Sequence, residues 1–295
     1  MVQSKTLSSR IITGVVYALL ITAAFLSLAP IIHTVAISFS SSGAASKGDV
    51  TFLPVNFTTN SYNKIINDKS FWTAFMVSIK RVVIGGGLNL LLVIMMAFPL
   101  SRTTNQFKYR NVYMWILMFT MLFSGGIIPT YFIVSKLKLI NTLWALILPG
   151  AVSAYNVILM MNFFRGIPAS LEEAAIIDGA SPLTVLIKIF LPISLPSIAT
   201  ITLFTIVGHW NNFFDGLIYI NDQAKIPLQT YLQQLIISRT GTEQLTAEEM
   251  VAMSSVSSLT LDAAKILVSM IPILLIYPLM QRFLISGLVL GSVKE

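Results

Sequence analysis

A polar stretch, Glu172-Glu173-Ala174-Ala175-Ile176-Ile177-Asp178-Gly179-Ala180-Ser181-Pro182, lies between two long apolar runs of the chain. Ser170, just before it, and Glu173 have the spacing of a capping box, which predicts a helix start at Ser170. Gly179 stands where a left-handed glycine commonly ends a helix, so this helix is predicted to end near Asp178. The stretch is therefore expected to begin with a short helix that is closed at both ends.

A second helix is predicted directly after the glycine. Ser181 followed by Pro182 is typical of an N-cap with proline in the first helical position. Pro192 and Pro196 are expected to end this helix, because proline lacks the N–H that a helix interior needs. The predicted unit is thus a helix, a tight glycine turn and another helix.

The composition decides the class of protein. Of the 295 residues, 55% are hydrophobic and 11% are charged, and the mean hydropathy is +0.81. Soluble domains carry about 25% charged residues. The chain is therefore predicted to be an all-α integral membrane protein, with no room for a sizeable soluble domain between its apolar runs.

Charge and side-chain chemistry exclude several functions. The net charge is +7, but the basic residues are scattered over loops, which argues against a nucleic-acid partner. The chain has no cysteine, so disulfides, thiolate metal sites and cysteine nucleophiles are excluded. The two histidines, His33 and His209, are far apart in sequence, and no Ser, His and Asp pattern suggests a hydrolase. No cofactor or metal is expected in this chain.

Six apolar runs are each long enough to cross a hydrocarbon core of about 30 Å. They cover residues 11–39, 82–101, 111–135, 139–164, 193–220 and 263–281. The third run is broken by Gly125, Gly126 and Pro129. Six transmembrane helices are therefore predicted, with the polar stretch between spans four and five.

The second span is predicted to begin after Lys80 and Arg81. A basic side chain at the bilayer centre costs about 2.5–3.5 kcal/mol on insertion scales. The pair is therefore expected to mark a membrane edge, with residues 71–79 lying at the interface.

Six spans would place both termini on the same side as the polar stretch. The predicted organisation is a terminus at 1–10, a membrane domain at 11–285 and a tail at 286–295. Within the membrane domain, loops at about 165–192 and 221–262 lie on opposite sides. The short basic loop at 102–110 favours termini inside the cell by the positive-inside rule.

The polar stretch resembles the signature loop of permease subunits of ATP-binding-cassette (ABC) importers. Glu173-Ala174-Ala175, three residues, Gly179, nine residues and Ile189-Phe190-Leu191-Pro192 match that loop at every fixed position. Four other stretches are similar to carbohydrate permeases, among them the second six-span permease of the maltose importer. They are residues 97–102, 123–131, 210–213 and 291–295, the last departing from the family at Ser292 and Glu295.

The resemblance implies a bacterial cell-membrane protein with cytoplasmic termini and a cytoplasmic coupling helix between spans four and five. It implies a heterodimer with a second, different permease, two ATP-binding-cassette ATPase subunits and an extracellular solute-binding protein, which the 221–262 loop is expected to contact. That loop would otherwise be a plain solvated connection with an amphipathic piece at 228–237. ATP and its Mg²⁺ would bind to the ATPase, so the chain itself would not be an enzyme. The implied function is ATP-driven uptake of a sugar, in particular an oligosaccharide.

The residues expected to couple to the ATPase lie in the two predicted helices and the turn between them. Ala174 and Ala175 keep the first helix slim enough to enter a groove, whereas Glu173 is expected either to pair with a basic residue of the ATPase or to complete the helix cap. The predicted coupling residues are Glu172, Glu173, Ala174, Ala175, Asp178, Gly179, Ser181 and Pro182.

The solute path is predicted from polar and aromatic residues within the spans, because such residues tend to face a bundle interior. Amides and carboxylates pair with sugar hydroxyls, and aromatic faces cover sugar C–H surfaces. The same residues also serve as interhelical hydrogen bonds and interface anchors, and that alternative stays open. The candidates are Asn89, Tyr131, Tyr155, Asn156, Trp210, Asn211, Asn212, Phe213 and Asp215.

Two other functions remain possible from the residues alone. A secondary carrier would need an ion-coupling residue in a span, and Asp215 and His209 are the candidates. An ABC permease for a non-sugar solute is the other alternative, against which the similarity of residues 123–131 and 210–213 argues. Dependence of uptake on ATP rather than on a proton gradient separates importer from carrier.

Overall fold

The computed structural model describes residues 7–240 and 258–292, with side chains described for 9–237 and 259–281. Within these ranges all regular structure is helical, which confirms the predicted all-α class. The chain forms two compact units, one from Met1–Asp68 and Leu235–Met270 and the other from Lys69–Gln234 and Ile271–Glu295.

The α-helices are numbered here in chain order. They are α1 Leu7–Ser38, α2 Ser42–Lys47, α3 Asn60–Ile66, α4 Lys69–Ser101, α5 Arg110–Leu122, α6 Ile127–Lys136, α7 Ala154–Arg165, α8 Ala169–Ile177, α9 Pro182–Val185, α10 Leu191–Ile193, α11 Leu195–Asn211, α12 Phe214–Tyr219, α13 Leu228–Thr240 and α14 Ser258–Ser292. Short 3₁₀ turns occupy Leu143–Leu146, Leu148–Gly150 and Gln223–Lys225, and a π-helical segment occupies Leu186–Phe190.

The first unit carries the long helix α1, whose apolar side chains are largely exposed along its length. Near the C-terminal end of α1, its small residue Ala36 packs with Ala44, Ala45 and Val50 in a buried cluster. A buried ion pair joins Lys265 Nζ to Asp68 Oδ2 at 2.7 Å. An apolar helix with so little of its surface covered in the chain alone fits contact with lipid or with another subunit.

The second unit is built on α4, which packs along both α7 and α11. Its core is apolar and lies where these three helices meet the start of α5 and the segment after α8. The buried core residues are Val93, Ala97, Leu100, Leu117, Val157, Met160, Met161, Phe164, Val185, Leu186, Phe190 and Ile201.

The described helices include three that are long and apolar enough to cross a membrane by themselves: Ser9–Ser38, Lys69–Ser101 and Leu259–Gln281. Three bent pairs also qualify, so the described ranges hold three spans, or up to six if each pair is one span. The pairs are Arg110–Leu122 with Ile127–Lys136 at 115°, Leu143–Gly150 with Ala154–Arg165 at 52°, and Pro182–Ile193 with Leu195–Asn211 at 82°. They correspond in order to the predicted third, fourth and fifth spans.

Two predicted boundaries differ from the structure. Residues 71–79 are not a separate interfacial piece, because α4 runs without a break from Lys69 and buries Phe71 completely. The predicted fifth span ends early, since α11 stops at Asn211 and α12 begins after two further residues. The second predicted helix ends where expected, since the helical stretch Pro182–Ile193 stops between Pro192 and Pro196 and the next helix, Leu195–Asn211, is bent from it by 82°.

Two further predictions fall partly outside the described residues. The predicted loop at 221–262 contains α13 and the start of α14, and its residues 241–257 lie outside the described ranges. The predicted tail at 286–295 is helical as far as Ser292, and residues 293–295 lie outside them as well.

Candidate functional site

The first element of the site is α8, whose N-cap lies two residues earlier than the predicted N-cap Ser170. Pro168 occupies its N-cap position and no side chain caps this helix end. The predicted capping box between Ser170 and Glu173 is therefore wrong, because Ser170 lies within the first turn instead of before it.

The end of α8 agrees with the prediction. Gly179 has φ +78°, its N–H donates to the Ile176 carbonyl at 3.0 Å, and the Ala180 N–H donates to the Ala175 carbonyl at 2.9 Å. This is a Schellman motif, in which the glycine adopts the left-handed conformation. No atom lies within 4 Å of the position of an added Cβ at Gly179, so conformation, not space, requires the glycine.

The second predicted cap is also confirmed. Ser181 Oγ accepts the N–H of Thr184 at 3.3 Å, and Pro182 is the first residue of α9. From α9 the chain continues through the π-helical segment Leu186–Phe190. A rigid, doubly capped turn therefore links α8 to the membrane helices.

The two neighbouring glutamates of α8 have different environments. Glu172 forms an ion pair with Arg102, the residue directly after α4, and both side chains are largely buried. Glu173 is exposed, and no hydrogen bond or ion pair engages it among the described residues. Only Glu173 is therefore available to an outside partner.

The outward surface of α8 also contains apolar residues that sequence reasoning did not select. Ile177 is 85% exposed, Ile176 is exposed beside it, and Leu183 of the neighbouring helix α9 is exposed as well. Apolar side chains this exposed on a polar, extramembrane segment are typical of a protein contact. The available signal was the isoleucine pair inside an otherwise polar helix.

Arg102 is a second residue that sequence reasoning missed as a site residue, although it ends the stretch at 97–102. Its guanidinium carbon lies 4.1 Å from the ring centroid of Phe98 and 4.6 Å from that of Phe190. Burial lowers the pKa of Arg102, and the charge and hydrogen bond of Glu172 oppose that effect. A guanidinium stays protonated in proteins, so the site holds a fixed positive charge between two aromatic faces.

Two further arginines fasten the end of α4. Arg110 Nε and Arg165 Nη2 both donate to the carbonyl oxygen of Leu100, at 2.9 and 3.3 Å. The last carbonyls of a helix have no partner within the helix. Arginines from the start of α5 and the end of α7 supply the partner here and tie these helices together.

The second element of the site is a polar cavity of about 260 Å³ in the unit built on α4. Four of the predicted solute-path residues line it: Asn89, Asn156, Asn212 and Asp215. The other lining residues are Arg81, Leu146, Gly150, Ser153, Phe204, Thr205, Gly208 and His209.

Arg81 is buried in this cavity wall, with only 1% of its surface exposed. Its Nη2 donates to Asp215 Oδ2 at 2.6 Å and its Nη1 to the Asn212 carbonyl at 3.0 Å. Asn212 Nδ2 donates to the same carboxylate oxygen at 2.8 Å. The charge of Asp215 is thus balanced within the chain, by an arginine that the sequence suggested only as a membrane-edge marker.

Asn89 forms hydrogen bonds between helices, which was the alternative role considered for the predicted solute-path residues. Its Nδ2 donates to the Ala151 carbonyl at 3.0 Å, and its Oδ1 accepts from Thr205 Oγ1 at 3.1 Å. It therefore bridges α4 to α11 and to the chain before α7. His209 lies close by, with ring atoms 2.9 Å from the position of an added Cβ at Gly85.

The remaining predicted solute-path residues lie outside the cavity lining. Trp210 is buried edge-on against Phe75 with centroids 5.6 Å apart, and Tyr131 stacks on Tyr219 at 6.3 Å. Tyr155 lines a separate, apolar cavity beside α5. The last two residues, Asn211 and Phe213, flank Asn212 and are exposed.

Within the described ranges, no group of three or more His, Asp or Glu side chains is placed to hold a metal ion.

Apolar helices long enough to cross a membrane, with a capped turn between two of them, define an integral membrane protein. Residues 3–289 match the family described as the binding-protein-dependent transport system inner membrane component. The chain belongs to this family, which confirms the resemblance found in the signature loop.

Individual relatives cover nearly the whole chain. The chain is 39% identical over 288 residues to the polygalacturonan/rhamnogalacturonan transport system permease protein YtcP of Bacillus subtilis (strain 168), covering 98% of this chain and 100% of that protein. It is 39% identical over 271 residues to Protein LplC of the same organism, covering 91% of this chain and 90% of LplC.

A solved structure has the same fold. The chain matches a subunit in the crystal structure of a bacterial ABC transporter involved in the import of the acidic polysaccharide alginate. The TM-score is 0.86 at 34% sequence identity, and the match covers 95% of this chain and 98% of that subunit.

Proposed function

We propose that this chain is one of two unlike permease subunits of an ATP-driven ABC importer for an acidic oligosaccharide. The observation that carries the coupling role is the exposed surface of α8, where Glu173 and Ile177 face outward from a helix that a Schellman turn closes at its C-terminal end. A helix held in this way transmits a displacement without bending at its ends.

In this proposal Glu173 pairs with an arginine or lysine of the ATPase, and the neighbouring apolar residues pack into its groove. The exposure of Glu173 supports pairing over the alternative role in a helix cap, because α8 has no side-chain cap bond. ATP and Mg²⁺ bind to the ATPase, since this chain has no G-x-x-x-x-G-K-[ST] sequence.

The substrate class rests on the relatives. YtcP is named for transport of polygalacturonan and rhamnogalacturonan, and the alginate transporter for an acidic polysaccharide. Both names specify acidic polymers, which favours an oligosaccharide with uronic acid units over a neutral sugar. A solute-binding protein outside the cell would deliver it.

The polar cavity is the candidate contact of this subunit with the solute path. Asn156 reaches it from α7, Asn212 from the break between α11 and α12, and Asp215 from the first turn of α12. Amide and carboxylate groups of this kind match sugar hydroxyls, while Asn89 holds the surrounding helices in place.

The proposed arrangement places the termini and the 165–192 loop in the cytoplasm of a bacterial cell, and the 221–262 loop outside. The loop at 221–262 is then the candidate contact for the solute-binding protein. Cysteine labelling of Glu173→Cys and Asp222→Cys variants from either side of the membrane tests this orientation, because the chain has no native cysteine.

The function is tested by purifying the chain with its partner subunits in mild detergent, reconstituting the complex in proteoliposomes with the solute-binding protein, and measuring uptake of trigalacturonate and of maltotriose. We expect the ATPase to co-purify with the wild type and to be lost with Glu173→Arg, while Asp222→Arg, an exposed charge reversal elsewhere, retains it. Uptake of trigalacturonate is expected to require ATP and to exceed that of maltotriose. Absence of ATPase from the wild-type preparation, or uptake driven by a proton gradient alone, would refute the importer.

A further inference from the structure

The helix α8 is attached to the rest of its unit by few contacts. It contains no buried residue, and an open groove of about 620 Å³ lies beside it, lined by Phe98, Arg102 and Glu172 among others. Ala175 packs at the edge of the core, with only part of its surface covered. In the described ranges, the pair between Glu172 and Arg102 is the ion pair that joins α8 to another element.

Arg102 itself is held on several sides. Its guanidinium lies over Phe98 of α4 and over Phe190 of the π-helical segment. These two rings meet edge to face at 5.3 Å. Phe164 of α7 packs against both, with centroids 6.3 Å from Phe98 and 5.4 Å from Phe190. The arginine therefore connects α8 to α4 and to the π-helical segment, and the two rings connect these in turn to α7.

The groove beside α8 and the aromatic contacts of Arg102 limit the routes by which a displacement of α8 can reach the membrane helices. Because apolar packing under α8 is thin, a push on α8 reaches the membrane helices through the charged pair or through the covalent chain. The pair is largely shielded from water, which strengthens a charge-assisted hydrogen bond relative to one at the surface. The second route, along the covalent chain, passes through the turn at Gly179 and then through the π-helical segment. Segments of π-helix are often found at functional sites.

We propose that Arg102 is the positioning residue through which a displacement of α8 by the ATPase is passed to α4. This inference rests on the proposed importer function. The helix α4 then carries the displacement to the polar cavity, because Arg81 and Asn89 of the cavity wall lie on the same helix. Arg81 is 21 positions (102 − 81) before Arg102, about 30 Å along a straight helix.

The assignment separates the roles of the two adjacent glutamates. Glu173 faces outward and holds the ATPase, whereas Glu172 faces inward and holds α4. A change at Glu173 is therefore expected to remove the ATPase from the complex. A change at Glu172 is expected to leave the complex intact and to disconnect ATP hydrolysis from transport.

The test uses the complete importer in proteoliposomes, with its solute-binding protein and trigalacturonate as the probe. The measured quantity is sugar imported per ATP hydrolysed, together with the amount of complex that is purified. The variants are Arg102→Met, Arg102→Lys, Glu172→Gln and the exchange Arg102→Glu with Glu172→Arg. Asp49→Asn is the control, because it neutralises an exposed carboxylate outside α8, the polar cavity and the 221–262 loop.

We expect Arg102→Met and Glu172→Gln to assemble and hydrolyse ATP while sugar imported per ATP falls at least about tenfold, equivalent to about 1.4 kcal/mol. Arg102→Lys keeps the charge but loses the planar group stacked on Phe98 and Phe190, so it should fall between Arg102→Met and the wild type. The charge exchange should recover part of the loss, and the control should match the wild type.

Wild-type coupling in Arg102→Met or in Glu172→Gln would overturn the proposal. If Arg102→Met fails to assemble, Glu172→Gln decides, since it changes only a charge. Failure of both to assemble would show that the pair is needed for folding and would also overturn a transmission role. A wild-type chain that retains no ATPase is a different result, because it would remove the proposed function itself.

Discussion

Neutralising Asp215 should destabilise the protein, because it leaves Arg81 as an uncompensated charge in a buried site. The perturbation is Asp215→Asn, which keeps the shape of the side chain and removes its charge. Arg81 would retain its bond to the Asn212 carbonyl, and its Nε already has no partner among the described residues.

The magnitude follows from the burial of each partner. Removing one member of a buried ion pair costs about 3–5 kcal/mol. The Arg81 side chain is 2% exposed but that of Asp215 is 31% exposed, so water screens part of the charge. A loss of about 2–4 kcal/mol is therefore expected, which corresponds to a melting temperature lower by roughly 5–10 °C.

Removing the other partner of the pair, Arg81, should lower the stability by less. In Arg81→Met the carboxylate of Asp215 keeps the amide of Asn212 at 2.8 Å and some contact with water. The double variant Arg81→Met with Asp215→Asn has no unpaired charge and should be more stable than Asp215→Asn alone. The double-mutant cycle is thus expected to show a coupling of about 1–3 kcal/mol.

The assay is thermal aggregation of the detergent-purified complex, with uptake measured in parallel with and without a proton gradient. A melting temperature of Asp215→Asn within about 2 °C of the wild type would refute the assigned role of the pair. If proton-driven uptake were lost at the same time, Asp215 would be an ion-coupling residue and the carrier would replace the importer.

Three other changes test separate parts of the structure. Gly179→Val should lower uptake while insertion is retained, because a β-branched residue at φ +78° costs about 1–2 kcal/mol, whereas Gly179→Asn should stay nearer the wild type in a transport assay. Gly216→Ala should reduce the yield of folded protein sharply, because its Cβ would lie 2.0 Å from Thr230 Oγ1, and Thr230→Ala should partly restore that yield. Asn212→Ala should lower uptake or shift sugar preference in a competition assay without loss of assembly; unchanged kinetics would remove Asn212 from the solute path.

Local chemistry explains what was predictable in the α8 region. Gly179 and Ser181 act through their own backbone and immediate neighbours, so residue type and spacing were enough to predict the left-handed turn and the second cap. The predicted capping box at Ser170 was wrong because the N-cap is Pro168, two residues earlier, a shift that short-range spacing does not resolve.

The polar cavity could be predicted only in part. Asn156, Asn212 and Asp215 were selected because polar groups within spans tend to face inward, and they do line one cavity. Trp210 and Tyr155 satisfied the same rule and lie elsewhere, since residue type does not say which side of a helix faces the cavity. Arg81 was assigned to a membrane edge because its partner, Asp215, is 134 residues away in sequence.

The sequence by itself determined the membrane class, the order of the apolar spans, the family and the glycine turn after α8. Hydrophobicity and local backbone preference are properties of neighbouring residues, so they can be read along the chain. Only the tertiary structure decided that Glu172 faces Arg102 while Glu173 faces outward, and that Arg81 neutralises Asp215. These pairs depend on which helices meet and on the face that each presents, and they join residues 70 and 134 positions apart.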